Sequence, residues 1–399
     1  MKKARRLLAV LMAVCMVFAL AACGSSSQPA ETEAAETEAA AAETEAAAAD
    51  TEAAVEAVTE AAAEAAAENA DGDAPQIGMV VKYANMEFIQ ALMIGVKNKC
   101  AELGYKEPLI TDAQADTTKI LNAIDNYIAQ DIDAFILGGA EDLVSLVPGI
   151  EALNEAGIPV MAVDTCPEGG HVDLFITNDI VESSERAAAQ MIEGIKEKHN
   201  GEVPEGTIIE ITGALVDMYT TDCHTGFEKV ISQYPQLTVV QGEGNWNNDD
   251  SYNRCSDLLT AHEEDCVGIY VHTPDIMGSG VVSAVEAHNL NPADYCISGI
   301  CIGMEGIELI KQGKLYCVVE QPALQAAEMA VEYIDVMLKG GEIPPVGTKI
   351  EEEGALWSPA EFIENTYADS GETLILQAPL VPQEAPADSD QIWENVIEK

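Results

Sequence analysis

Several side chains able to do chemistry stand where an apolar run ends. In IPVMAVDTCP, residues 158 to 167, the buried-strand pattern stops on Asp164. Lys82 and Tyr83 follow IGMVV, Thr212 and Gly213 close TIIEIT, Trp246 comes shortly after LTVVQ, and His272, Thr273 and Asp275 follow VGIYV. An aspartate at one such exit could merely cap a turn. Several polar and aromatic residues at the same end of several strands suit a ligand.

Other chemistries fit less well. His262-Glu263-Glu264-Asp265-Cys266 offers metal-ligating types, but it lies between a helix and a strand and reads as a solvated turn. His224 near Asp222 could form an acid–base pair, yet ahead of a helix it reads as a satisfied or ligand-contacting histidine. The chain has no G-x-x-x-x-G-K-[ST] loop and no G-x-S-x-G elbow, and Gly278-Ser279-Gly280 lacks the third glycine of a dinucleotide site. The sequence is read as a non-enzyme with no cofactor and no metal.

The elements that position these residues follow from the pattern. Apolar strands near 77–81, 108–111, 134–137, 160–163 and 175–177 alternate with helical patterns, among them Ile89, Leu92, Met93, Val96, Cys100 and Leu103. A second series follows, with strands at 207–212, 237–241, 267–271, 295–300 and 316–321 separated by helices, and a long helix at 324–338. Strands without polar alternation, separated by helices, are parallel and covered on both faces. The fold class is α/β, with two doubly wound parallel-sheet lobes. In such sheets ligands bind beyond the carboxyl ends of the strands, which explains a charge at the end of VMAV.

The ends set the compartment. MKKARR precedes the apolar run LLAVLMAVCMVFAL, which has the length of a secretory signal and is shorter than a spanning helix. Leu20-Ala21-Ala22-Cys23 resembles a bacterial lipobox, which implies lipidation of Cys23 and an extracytoplasmic protein anchored to the outer face of the cell membrane. Residues 24–75, rich in Ala, Glu and Thr and free of Lys and Arg, read as a spacer. The net charge is −50 with 19 Lys and Arg, which argues against nucleic acid as a partner. Eight cysteines remain outside the signal and lipid site; the compartment permits disulfides, and the apolar settings equally suit thiols.

From 76 to about 345 the chain resembles type 1 periplasmic binding proteins of the ribose- and galactose-binding kind. The residues that carry the likeness are IGMVVKYANMEF, CAELGY, IAQDIDAFILGGAED, NEAGIPVMAVDT, FITND, Gly226-Phe227, DLLTAH and IELIKQGKLYCVVEQPALQAAEMA. The resemblance implies two lobes joined by a three-strand hinge. They would close on a small ligand, usually a sugar, and deliver it to an ABC transporter permease. It also implies a ligand site: Asp164 to accept hydroxyl hydrogen bonds, Phe88 and Trp246 as aromatic walls, and Gln321 at a hinge strand. Asn85, Thr165, Thr221, Thr273 and Asp275 occupy the remaining site positions.

Several positions depart from the pattern, among them Met86-Glu87-Phe88 for the usual Asn-Pro-Phe, with Asn85 one place earlier, and Cys301 for a late aspartate. The usual arginines after Asp164 and before Phe227 are Thr165 and Thr221, and Thr273-Pro274 replaces Asn-Asp. Losing two guanidinium forks removes the strongest directional donors. The expected ligand is a small neutral polyhydroxylated molecule, sugar or sugar-like and not an acid; nucleosides and autoinducers are alternatives. A ligand-sensing lipoprotein that serves a membrane sensor kinase is the alternative role. A lactose-repressor-type regulator is excluded, because a signal and acidic spacer stand where a basic helix-turn-helix would be. The expected boundaries are residues 1–23 for the signal, 76–177 plus 322–341 for lobe one, 178–321 plus 342–366 for lobe two, and 367–399 for an acidic tail. Trp357 and Phe362 are expected to pack along lobe two, and PQEAPADSD is expected to be loose.

Overall fold

The computed structural model describes residues 74–140, 142–215 and 217–397. The signal, Cys23 and nearly all of the spacer lie outside the described residues. Two sheets organise the rest. The first contains β1 (Ile77–Val81), β2 (Leu109–Asp112), β3 (Ala134–Gly138), β4 (Val160–Val163) and β5 (His171–Asn178), all parallel, in the order β2-β1-β3-β4-β5. The second contains β6 (Gly206–Thr212), β7 (Leu237–Glu243), β8 (Cys266–Val271), β9 (Ser298–Ile300) and β10 (Cys317–Val319), in the equivalent order β7-β6-β8-β9-β10. Every residue of β1, β3, β4 and β6 is buried, as helices on both faces require.

Helices α1 (Glu87–Leu103), α2 (Thr117–Ala129) and α3 (Val147–Glu155) cover the first sheet. Helices α4 (Ile180–Lys198), α5 (Met218–Ile231), α6 (Asn248–His262), α7 (Pro274–Ala287) and α8 (Gly303–Lys311) cover the second. Helix α9 (Ala323–Leu338) returns to pack on α1 in the first lobe. Local chemistry sets the starts. Asp116, Asp179, Asp217 and Asn247 each accept a backbone N–H of the helix that follows, which satisfies donors the helix itself cannot.

The segment expected on lobe two lies on lobe one. Strands β11 (Lys349–Ile350), β12 (Ala360–Glu364) and β13 (Ser370–Leu376) extend the first sheet, with β13 parallel to β5 and the other pairings antiparallel. Phe362 is fully buried in the first lobe's core, and Trp357 packs against it. The reason is geometric: β5 leaves an open sheet edge beside α9, and a strand with apolar Leu374 and Leu376 closes it.

The chain then crosses to β14 (Leu380–Val381), antiparallel to β10. Ala385 and Ile392 lie in the second lobe's core and Trp393 in the first lobe's, so PQEAPADSD is fastened at both ends instead of ending loose. The passages between lobes follow β5, β10 and β13, and the last two are joined by Glu320 N–H donating to Pro379 O at 2.8 Å. Among the described residues all eight cysteines are thiols, seven of them buried. Among the described residues no helix is long and apolar enough to cross a membrane.

Candidate functional site

In both sheets the strand order reverses beside the first strand, between β1 and β3 and between β6 and β8, where diverging loops open a crevice. The first lobe presents Lys82, Gly139 and Asp164 there. A Cβ on Gly139 would sit 3.4 Å from Asp164 Oδ2 and 3.9 Å from Lys82 Cβ, so these three are immediate neighbours. Asp164 and Gly139 adopt left-handed backbone conformations, with φ of 75° and 90°. Aspartate tolerates that region better than most residues, and the turn is what aims its carboxylate out of the strand.

The second lobe answers with Asp217, Tyr219 and Trp246. Burial raises the Asp164 carboxyl above its ordinary range; Lys82 pulls it partly back, and Asp217 from the opposite lobe pushes it up again. The two lobes therefore meet across the cleft at this carboxylate. Burial holds the Tyr219 hydroxyl well above its usual range, with added repulsion from Asp275 and Asp164. Tyr219 meets Trp246 edge to face at 5.8 Å, and its hydroxyl accepts from Gln321 Nε2 at 3.2 Å. Gln321 also reaches Asn178 Oδ1 at 3.5 Å, so the first two crossovers and the cleft wall form one hydrogen-bonded set.

Thr273 and Asp275 lie at the start of α7. The Thr273 hydroxyl and Asp275 Oδ1 are buried without a hydrogen-bond partner, an arrangement that favours a polar ligand group over an apolar one. Burial lifts Asp275 to about 7; the Cys301 thiol and the Ile276 amide oppose the rise, and Glu87 adds to it. Behind this wall Glu210, fully buried, takes His272 Nε2 at 2.9 Å, His224 Nδ1 at 3.0 Å and Gln241 Nε2 at 2.8 Å. Burial opposes ionisation of Glu210, but these partners outweigh it and hold the carboxyl down at about 2. His224 thus pairs with Glu210 and not with Asp222.

Asp164, Trp246, Asp275 and Gln321 are gathered around Tyr219. Thr273 stands two residues from Asp275. Four expected residues sit differently. Asn85 is exposed in a turn, and Thr221 is exposed, with its hydroxyl directed at Asp217 O. The Thr165 hydroxyl accepts the Ala140 N–H at 3.0 Å, tying its own lobe's loops together. Phe88 packs against the first lobe's core. Tyr219 and Asp217 escaped the sequence reading because the segment after TIIEIT resembles an ordinary helix start, and Asp217 does cap α5. Their place after the first strand of the second sheet, equivalent to Lys82 and Tyr83 in the first, was the available signal. Among the described residues no group of three or more His, Cys, Asp or Glu could hold a metal, and the 262–266 cluster contains only a His262–Asp265 pair at 3.6 Å.

Comparison with known proteins agrees with the two-sheet fold. The family model for the periplasmic binding protein domain matches residues 77–342. A ribose import binding protein from Bacillus subtilis is 24% identical over 267 residues, 67% of this chain and 83% of that protein. A D-apiose import binding protein from Actinobacillus succinogenes is 24% identical over 273 residues, covering 66% and 82%. Among solved structures, an ABC transporter periplasmic solute binding protein from Actinobacillus succinogenes with bound D-allose superposes with a TM-score of 0.60 at 22% identity, covering 68% of this chain and 93% of that one. A Bacillus halodurans solute binding protein with bound myo-inositol gives 0.58 at 21%, covering 77% and 96%. The chain belongs to the periplasmic binding protein domain family, and it is a solute-binding protein, not an enzyme.

Proposed function

We propose that this protein captures a small neutral polyhydroxylated ligand, a sugar or sugar-like ring, by hinge closure and delivers it to an ABC permease. The observation that carries the reading is the approach of Asp164 from one lobe to Tyr219 of the other, whose ring meets Trp246 edge to face. A carboxylate for hydroxyls and an aromatic corner for a ring face come together only when the lobes shut. The charge balance supports neutrality of the ligand. Both described arginines are engaged elsewhere, Arg186 with Glu384 and Arg254 with Asp257, so the cleft has several carboxylates and no guanidinium to receive an anion. Relatives named for ribose and D-apiose import, and neighbours holding D-allose and myo-inositol, favour the same ligand class. The lipobox at Leu20 to Cys23 supports a lipid anchor that holds the protein outside the cell membrane, beside a permease.

The test is a thermal-shift and calorimetric screen over pentoses, hexoses, furanoses, polyols and nucleosides. A hit among the polyhydroxylated rings should weaken by about 1.5 to 3 kcal/mol in Asp164→Ala, the range for a charged hydrogen-bond partner. That is roughly ten- to over a hundredfold in Kd. Binding confined to peptides or metal ions would sink the sugar-like reading while leaving the fold intact.

A further inference from the structure

The amino end of α8 collects carboxyl groups from three separate parts of the chain. Glu87, at the start of α1 in the first lobe, accepts the Met304 N–H through Oε2 at 2.8 Å, across the lobe boundary. Glu320, in the second crossover, faces the Ile302 amide, and Glu394, near the chain's end, faces the Gly303 amide. Gly303 is left-handed with φ of 66°, and a Cβ there would come within 2.6 Å of Asp275 Cβ and 3.1 Å of Glu87 Oε2. The tight approach of Glu87 therefore depends on glycine at 303.

Glu320 and Glu394 are 2% and 1% exposed, and one oxygen of Glu320 and both of Glu394 lack a hydrogen-bond partner. The other Glu320 oxygen takes the Trp393 indole N–H, which also reaches Gln321 O at 3.2 Å, so the tail is pinned to the crossover whose next side chain holds Tyr219. The remaining groups facing the cluster are Asp275 from α7 and the Cys301 thiol. The nearest cation on α8, Lys311, is at its opposite end, bound to Glu308 at 2.8 Å and reaching Asn395 at 3.4 Å. Glu320 and Glu394 sit in a setting that excludes water, where amide dipoles and protons hold them.

We propose that Glu87 is a closure-determining residue, the first lobe's bolt into the amino end of α8, and that the Glu320–Glu394 pair, carried partly by the C-terminal tail, sets how firmly that bolt holds. The tail part of this arrangement lies beyond residues 77–342, the span shared with the family model. Burial raises both carboxyls above the ordinary carboxylate range, Glu394 pushing Glu320 further up and Glu87 doing the same to Glu394, and a neutral Glu394 leaves Glu87 unopposed at the helix terminus. A group whose pKa is raised in the assembled state stabilises that state at low pH and loses its contribution as pH rises. Once Glu394 ionises, it repels Glu87 at the same amides, and the lobes part more readily.

The test uses the ligand-free chain, so its failure is distinct from failure of the solute-binding reading. Small-angle scattering at about pH 5.5 and about pH 9.5, on either side of the Glu394 titration at about 8, reports lobe separation. The wild type is expected to be compact at the lower pH and expanded at the higher. Glu87→Ala should be expanded at both, with circular dichroism confirming that it is folded. Glu87→Gln, which keeps an acceptor oxygen for Met304 N–H but carries no charge, and Glu394→Gln, which cannot ionise, should stay compact at both. A Glu87→Ala protein as compact as the wild type at the lower pH overturns the proposal. So does a Glu394→Gln protein that expands like the wild type, or a wild-type radius insensitive to pH.

Discussion

The sharpest test of the cleft wall is a single methyl group. Gly213 immediately follows β6, and a Cβ placed there would lie 1.9 Å from Trp246 Cη2, 2.0 Å from Cζ2 and 2.4 Å from Cε2. Those are rigid ring atoms, so Gly213→Ala must push the indole off its site. Trp246 is only half-buried and can swing toward solvent, so the cost to folding should stay within the usual overpacking range of about 1 to 3 kcal/mol. Binding should suffer through loss of the edge-to-face contact with Tyr219 and of the surface Trp246 offers a ring. An aromatic pair of this kind is worth about 0.5 to 1.5 kcal/mol, roughly a two- to twelvefold rise in Kd. Calorimetry with whichever ring-shaped ligand the screen identifies, run on Gly213→Ala, Trp246→Ala and the double variant, isolates the effect. Because both substitutions remove the same wall, the double variant should bind no worse than Trp246→Ala alone. Unchanged affinity in Gly213→Ala, or additive losses, would refute the argument that Gly213 exists to seat Trp246 beside the ligand.

Other expectations follow from buried groups. Glu210→Ala leaves the His272 Nε2 donor buried without its acceptor and should cost about 1 to 3 kcal/mol in denaturant unfolding. Since the Glu210 pKa is depressed from 4.5 to about 2, its contribution is present above the first value and fades as pH falls toward the second, so this variant should also lose part of the wild type's acid sensitivity. Asp275 runs the other way: its pKa is raised to about 7, so its contribution is lost as pH rises through that value, and Asp275→Asn should flatten the fall in melting temperature there. Phe362→Ala, at a fully buried position on the first lobe, should cost about 3 to 5 kcal/mol, and an effect near zero would contradict the placement of β12.

The sequence by itself determined the alternation of strands and helices, because buried parallel strands are read from unbroken apolar runs such as IGMVV, AFIL and VMAV. It also determined which ends of those strands could bind, because chain direction fixes where the loops diverge, and it placed Asp164, Trp246 and Asp275 there. Tertiary structure decided what period and composition do not encode. Lys349 to Leu376 has short strands that could extend either sheet, and only the free edge beside β5 selected the first. Thr165 and Thr221 look like ligand hydroxyls in sequence, but a neighbouring amide or carbonyl engages each hydroxyl in the fold. Glu87, Glu320 and Glu394 are far apart along the chain and unremarkable as letters. Their meeting at one helix end depends on how two lobes and a returning tail pack, and that packing raises the Glu320 and Glu394 carboxyls above their ordinary range.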